Sequence, residues 1–386
     1  MLEPDSGTRN SPIIIIAASA RMLIQSGKKA QLSMIAIDQY GDEDTRSAAL
    51  QTVMIAAKDG SLDGSHVLDR LRAIDPDHRA QIVFGGGLDS TPELRHRIGE
   101  EWNLIGNHPA QDAHLKEAAA WFALLDRLSI PYPEIRWNGE EPKGEWLLKR
   151  SCSEGGKGVR FFSNDQFRPG DYIQRRVAGP TYSVLFLAAH GTLKIIGFNT
   201  LRHIAMGDRP FLFAGAANFT PLSPEIRQQV SGFARKIVQR TGLVGLNSLD
   251  FMLDPDRGPV VLEINLRPSA TLALYDDDAP EGLLKAHIDA SRGLGLADVR
   301  RPPLARCYEV IQAPRPLMIP MNLSWPSWCR DRPTAGSQVA QGAPFCTVEA
   351  QAPSAASALR LLALRGRTLC NLLSRSGPHL SYPCPV

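Results

Sequence analysis

In the run Val260-Val261-Leu262-Glu263-Ile264-Asn265-Leu266-Arg267-Pro268, strand alternation puts Glu263, Asn265 and Arg267 on one face and aliphatic residues on the other. A carboxylate and an amide oxygen are hard ligands for a magnesium-type cation, and a guanidinium is a planar fork matched to phosphate or carboxylate oxygens. Upstream, Asn247-Ser248-Leu249-Asp250-Phe251-Met252-Leu253 alternates again and runs into the turn sequence Asp254-Pro255-Asp256-Arg257-Gly258. Paired as an antiparallel hairpin, the two runs bring Asp250 toward Glu263 and Asn265. Carboxylates so close repel, and a divalent ion is the usual remedy. The plain alternative, a hairpin with its polar face in water, loses weight because a second phosphate-handling pattern lies upstream.

That pattern is the apolar run Trp146-Leu147-Leu148 ending in Lys149-Arg150, followed by Ser151-Cys152-Ser153-Glu154-Gly155-Gly156-Lys157-Gly158 and a second strand from Val159. Glycines let backbone N–H groups approach an anion closely, so such a loop folds over nucleotide phosphates. It is not a Walker loop, since Gly158 follows Lys157 and no helix pattern begins there. On its own it equally describes a hairpin tip.

Taken in order, these residues resemble the ATP-grasp superfamily, in particular the ATP-dependent carboligases related to biotin carboxylase, from about Ile13 to about Val348. The resemblance implies an α/β (α+β) chain. It would be divided into an N-terminal doubly wound pre-ATP-grasp domain (11–110), a small nucleotide-covering subdomain (111–180), a large catalytic subdomain (181–300) and a C-terminal β-rich segment with a helix (301–386). It also implies a site. Asp250, Glu263 and Asn265 would hold Mg2+, with Mn2+ as the alternative; Lys149 would contact ATP, and Gly155, Gly156, Lys157 and Gly158 would cover its phosphates. Lys116, placed at the start of the helix before Ile130-Pro131-Tyr132-Pro133, looks like the family's other phosphate-side lysine.

The segment from Tyr172 to Val184 looks like the family's hinge, whose backbone would read adenine from Gln174 to Val177, with Gln174, Arg175 and Val177 as the contacts. Where many members carry a ribose-binding glutamate, this chain has Arg175 and Arg176. Arg267 and Arg202 are the expected catalytic arginines, facing the transferred phosphate or the acyl group. His203 stands beside Arg202 as a neighbour, and Asn107 matches a recurrent position for which turn capping is the plain alternative.

The surrounding elements read as carriers of that site. Ile13–Ile16 is a buried strand leading to a helix from Arg21, then Ser33–Asp38 is a second strand, and Gln81–Phe84 a third that runs into Gly85-Gly86-Gly87 and a helix with Pro92 in its first turn. Ligands of such sheets sit at the carboxyl ends of strands, here Asp38–Arg46 and Gly85–Ser90. The apolar run at Ile13 is too short for a bilayer, which takes roughly 20 apolar residues. Helices are expected near 224–241, 281–293 and 355–373, and the residues from Ser376 read as a loose end.

With 43 basic and 40 acidic residues the net charge is +3, too even for a nucleic-acid surface. Six cysteines form no CxxC pair, which suits a reduced, cytoplasmic protein, and Cys152 is given no catalytic role. The combined reading is an ADP-forming ligase joining a carboxylate such as glutamate to an amine through an acyl phosphate. Its partners are small molecules, with neither nucleic acid nor membrane, and a homodimer is the commonest assembly. Within the family the analogy points to biosynthesis of one-carbon carriers of the methanopterin or methylofuran type. The alternatives are a carboxylase-type carboligase and a non-catalytic ATP-binding sensor, the latter disfavoured because Asp250, Glu263 and Asn265 are all present.

Overall fold

The computed structural model describes residues 11–58, 61–137, 144–163, 167–313 and 315–375; the expected loose end from Ser376 lies outside them. Four successive isoleucines make Ile13–Ile16 a strand buried on both faces, as central parallel strands require. Ile13 and Ile15 enter one core, Ile14 and Ile16 another. Around this strand a parallel sheet forms in the order Gln51–Met54, Met34–Asp38, Ile13–Ile16, Gln81–Phe84, Asn103–Ile105. Strand order reverses between Ile13–Ile16 and Gln81–Phe84, so the ligand crevice of this sheet opens where Ala17, Ala18 and Gly85–Gly87 emerge.

Only one of the two expected rims belongs to that crevice. The Asp38–Arg46 loop is consumed in holding itself and the C-terminal segment together. Asp38 accepts the Gly41 N–H at 2.6 Å, Asp42 caps the following helix by accepting the Thr45 N–H at 2.8 Å, and Asp44 takes the Asp331 N–H at 3.1 Å and the Arg332 guanidinium. All three aspartates of the loop are already bound.

Two antiparallel sheets follow. The smaller orders Val159–Phe161, Trp146–Arg150, Asp171–Arg175 and Ile135–Arg136. The larger has eight strands and begins Gly258–Asn265, Gly245–Asp254, Thr181–Ala189, Thr192–Met206, Arg209–Ala217. It continues through Ala305–Gln312, Pro344–Ala352 and Cys329–Arg330, so strands from the C-terminal segment extend the same sheet. Thr181–Ala189 is its keel: Leu185, Leu187 and Ala189 face the core shared with the N-terminal sheet, while Tyr182, Val184, Phe186 and Ala188 face the other. Helix Pro224–Thr241 covers that second face, opened by the Ser223 cap with Pro224 behind it and closed by Gly242 in the left-handed region. Helix Ala355–Arg375 closes the C-terminal end over its own core.

Helix Gly282–Ser291 carries His287, which is 1 % exposed, accepts the Leu246 N–H at 2.9 Å and lies 3.4 Å from the Ile105 carbonyl. Burial pushes its imidazole down to about 4. Between pH 4 and the ordinary 6.5 the unfolded chain binds the proton and the folded chain does not, so stability is full above 6.5 and falls as the pH drops toward 4. The loss is expected to be on the order of 3 kcal/mol. Denaturant melts across this window check it; His287→Gln, which keeps an acceptor without titrating, should flatten the slope.

Candidate active site

In the hairpin of Gly245–Asp254 and Gly258–Asn265, Asp250 lies directly opposite Glu263 and Ser248 opposite Asn265. Burial and the Glu263 carboxylate push Asp250 up to about 8. Two carboxylates that cannot comfortably ionise together, flanked by an amide, suit a divalent cation whose remaining ligands are water and phosphate oxygens. The residues fit Mg2+ on one condition. Asn265 now turns its Nδ2 toward Asp250 at 3.5 Å while its Oδ1 accepts from Lys116 at 3.2 Å, so holding the ion requires the amide to rotate. No cluster of three or more His, Cys, Asp or Glu side chains offers another metal site among the described residues.

Two cavities meet at this pair. The larger, about 590 Å³, lies against Lys149, Gln174, Val177, Phe211, Met252 and Leu262. The second, about 320 Å³, lies between the Gly85–Gly87 turn, Ala18 and Met22 on one side and Asn265, Arg267 and Leu272 on the other. Asp250, Glu263, Glu154, Gly156, Leu201 and His203 border both. The carboxylate pair is therefore the partition between two chambers.

Strand pairing explains the first chamber. Lys149 sits opposite Tyr172 on the neighbouring strand and is 8 % exposed; its ammonium donates to Gln174 Oε1 at 3.3 Å. Burial opposes its charge, but Tyr172, Glu263 and Asp250 outweigh burial and raise its pKa. Gln174 is left with Nε2 buried and without an acceptor, a free donor at the chamber wall. The N–H groups of Arg175 and Arg176 are already bound to the Glu134 and Glu145 carbonyls at 2.8 and 2.9 Å. Those two N–H groups are thus taken, while Val177 borders the chamber and Arg175 presents an exposed side chain beside it.

The glycine loop lies down on the strand Arg209–Ala217. Phe213 N–H donates to the Gly155 carbonyl at 3.1 Å, and a Cβ on Gly156, whose φ is +75°, would stand 1.8 Å from the Phe211 carbonyl oxygen. Only glycine permits that approach. The expected block 155–158 is divided by the geometry: Gly155 and Lys157 border the second chamber, Gly156 borders both, and Gly158 closes the turn by accepting the Arg150 N–H at 3.2 Å.

Arg267 borders the second chamber, and its guanidinium is already engaged. It grips Asp89 through Nε and Nη2 at 2.9 Å each and donates from Nη2 to Glu154 at 2.9 Å. Lys116 is not at a helix start. It ends the helix Pro109–Lys116, and its ammonium lies between Asp89 at 3.1 Å and Asn265 at 3.2 Å. Arg202 borders the first chamber and pairs with Glu309 at 3.1 Å; His203, past a bulge in its strand, borders both. Asn107 is a brace, donating to Asn247 Oδ1 and the Leu266 carbonyl and accepting the Val244 N–H. Cys152 points its Sγ at the Lys116 carbonyl at 3.7 Å.

Sequence reasoning missed Asp89 and Glu154 as members of the site. The available signal was an acid just past a glycine turn at a strand's carboxyl end, and another acid inside a loop meant for phosphates.

Comparison with known proteins gives a consistent fold. The family described as ATP-grasp domain matches residues 120–271. No curated protein matches the chain. Among solved structures, the biotin carboxylase domain of Hydrogenobacter thermophilus 2-oxoglutarate carboxylase, a dimer with MgADP, ADP and bicarbonate, aligns with TM-score 0.71 at 16% identity, covering 93% of this chain and 89% of that one. Biotin carboxylase of Campylobacter jejuni aligns with TM-score 0.71 at 14% identity over 91% and 90%. N5-carboxyaminoimidazole ribonucleotide synthetase of Thermotoga maritima aligns with TM-score 0.66 at 14% identity over 93% and 98%. The ATP-grasp fold therefore extends over nearly the whole chain. No helix among the described residues is long and apolar enough to cross a membrane.

Proposed function

We propose that this chain, whose residues 120–271 form an ATP-grasp domain, is an ATP-dependent, ADP-forming ligase that joins a carboxylate to an amine through an acyl phosphate. One observation carries the reading: two chambers of separate character share the Asp250–Glu263 pair as their common wall. A nucleotide in the larger chamber would direct its terminal phosphate at that wall, and an acid in the smaller would meet it there.

In the first step a carboxylate oxygen of the acid attacks the γ-phosphorus, the bond to the ADP oxygen breaks, and an acyl phosphate forms. In the second, the amine nitrogen attacks the acyl carbon, phosphate leaves with the C–O electrons, and the nitrogen's extra proton goes to the departing phosphate. Phosphoryl transfer asks the protein for position and charge balance. Lys149 supplies positive charge from the nucleotide side. Arg267, fixed by Asp89 and Glu154, supplies it from the acid side. Asp250, Glu263 and Asn265 would hold Mg2+ or Mn2+, which would neutralise charge between phosphate oxygens. The glycine loop, seated on Phe211 and Phe213, keeps water from the acyl phosphate.

For substrates we infer an amino acid such as glutamate as the acid, on the analogy with ligases of one-carbon carrier biosynthesis. The test incubates the protein with MgATP against pooled amino acids, tyramine and related amines, following ADP and phosphate and searching for condensed products by mass spectrometry. Substrate-dependent ADP with a product lighter by one water than its parts is the expected result. Nucleotide binding without turnover across the panel would favour the sensor. A second reading takes bicarbonate as the acid, because a structural neighbour was crystallised with MgADP and bicarbonate. ADP release dependent on bicarbonate instead of an amino acid would select it.

A further inference from the structure

Glu154 is the one acid contributed by the glycine loop, and its two carboxylate oxygens have unequal surroundings. Oε2 accepts the Gly87 N–H at 2.7 Å and the Arg267 guanidinium at 2.9 Å, so the loop is fastened across the mouth of the second chamber to the N-terminal sheet. Oε1 is buried and has no hydrogen-bond partner. The side chain is 11 % exposed and lies on the border between the two chambers. A carboxylate oxygen withdrawn from water without a donor is a costly arrangement. The loop therefore closes into a state that lacks one donor at the place where the two half-reactions meet.

We propose that Glu154 Oε1 is the acceptor for the amino group of the nitrogen substrate, so that the amine completes loop closure and is aimed at the acyl carbon by the same bond. This rests on the ligation reading above. Several features favour an amine over another donor. Oε2 already accepts from Gly87 and Arg267, so the missing partner of Oε1 must donate, and a bond from nitrogen to a carboxylate oxygen is a strong pairing. The second chamber is lined in part by Met22, Leu201, Phe213 and Leu272, which suits an amine carried on a hydrocarbon body, and besides Glu154 its lining carries no acid except the cation-holding pair. Arg267, already bound to Oε2, orients the carboxylate without occupying Oε1. Glu154 is a substrate-binding and positioning residue in this account.

Glu154→Gln is the decisive variant, because its amide oxygen preserves an acceptor for Gly87 N–H and Arg267 while presenting NH2 where Oε1 stood. Two reactions are compared in wild type and variant. One is carboxylate-dependent hydroxamate formation with excess hydroxylamine, a small nucleophile that traps the acyl phosphate. The other is ligation to the amine that yields product in the panel above. The proposal expects KM for that amine to rise roughly tenfold to a hundredfold, a change several-fold larger than any fall in hydroxamate formation or rise in KM for ATP. Glu154→Ala should share the amine defect and add a weaker ATP KM through loss of the Gly87 latch. An unchanged amine KM in Glu154→Gln overturns the proposal, and so does an equal fall in both reactions, which would mean loop closure alone. If wild type forms no carboxylate-dependent hydroxamate, the ligation reading falls first and takes this assignment with it.

Discussion

Glu263→Ala is expected to lower ATP turnover by about 10²-fold or more while leaving the protein as stable as wild type or more so. The two effects have one cause. Glu263 faces Asp250 across the hairpin, and together with burial it holds the Asp250 carboxyl up to about 8. Without the cation this is a repulsive pair held in place by the strands that carry it. Removing one acid relieves the repulsion and lowers Asp250 part of the way, burial being the larger cause of its shift, while Lys149 keeps Tyr172 and Asp250 as its counter-groups, so the melting temperature of the cation-free protein should hold or climb. A ligand of the cation that would balance phosphate oxygens disappears with it. A second consequence follows from linkage: any stabilisation that Mg2+ gives the wild type in the presence of nucleotide should vanish in the variant. Melting curves with and without Mg2+, beside steady-state ADP release, separate the effects. Turnover within a few-fold of wild type, or a clear drop in the melting temperature of the cation-free variant, would remove Glu263 from the role given to it.

That hairpin was legible because its information is local. Alternation over Asn247–Leu253 and Val260–Arg267, with a turn between, is enough to place Asp250 against Glu263, and the structure pairs those residues directly. Likewise the four isoleucines at Ile13 could only be a strand buried on both faces. Locality also explains what was hidden. Arg267 reads as an arginine aimed at substrate, yet its two carboxylate partners come from other parts of the chain, Asp89 from 178 residues away and Glu154 from 113. No periodicity encodes such a pairing. The expected helix start at Lys116 fails for the related reason that Glu117 caps a new helix immediately after it, by accepting the Ala119 and Ala120 N–H groups. What looked like one helix is two, and the lysine falls at the break. At Gln174 the expected adenine contact is through the backbone, and no periodicity shows that its side-chain oxygen is turned to Lys149 while its NH2 is left without an acceptor.

Asp89 is where this hidden information is concentrated, and its replacement is expected to produce the largest loss of stability. The side chain is 3 % exposed and receives Arg267 through two bonds, Lys116 at 3.1 Å and Arg95 at 3.8 Å. Burial favours its neutral form, but Arg267, Lys116 and Arg95 together hold it far below the usual carboxylate range. Its contribution is therefore present above the unfolded value of 3.8 and is lost as the pH falls below it. Asp89→Asn leaves the shape almost intact and removes the charge that balances three buried or half-buried cations. Breaking such a cluster from one side costs about 3–5 kcal/mol, visible as a lower denaturant midpoint at pH 7. Activity should fall as well, because Arg267 would be left to Glu154 and Lys116 to Asn265. Adding Lys116→Met to Asp89→Asn tests the cause. If uncompensated charge is the damage, the double variant recovers part of the stability that the single variant lost, whereas Lys116→Met alone is destabilising because it deprives Asp89 of a partner. Losses that simply add would show instead that Asp89 acts through packing and hydrogen-bond geometry, with its charge incidental to the assembly of the site.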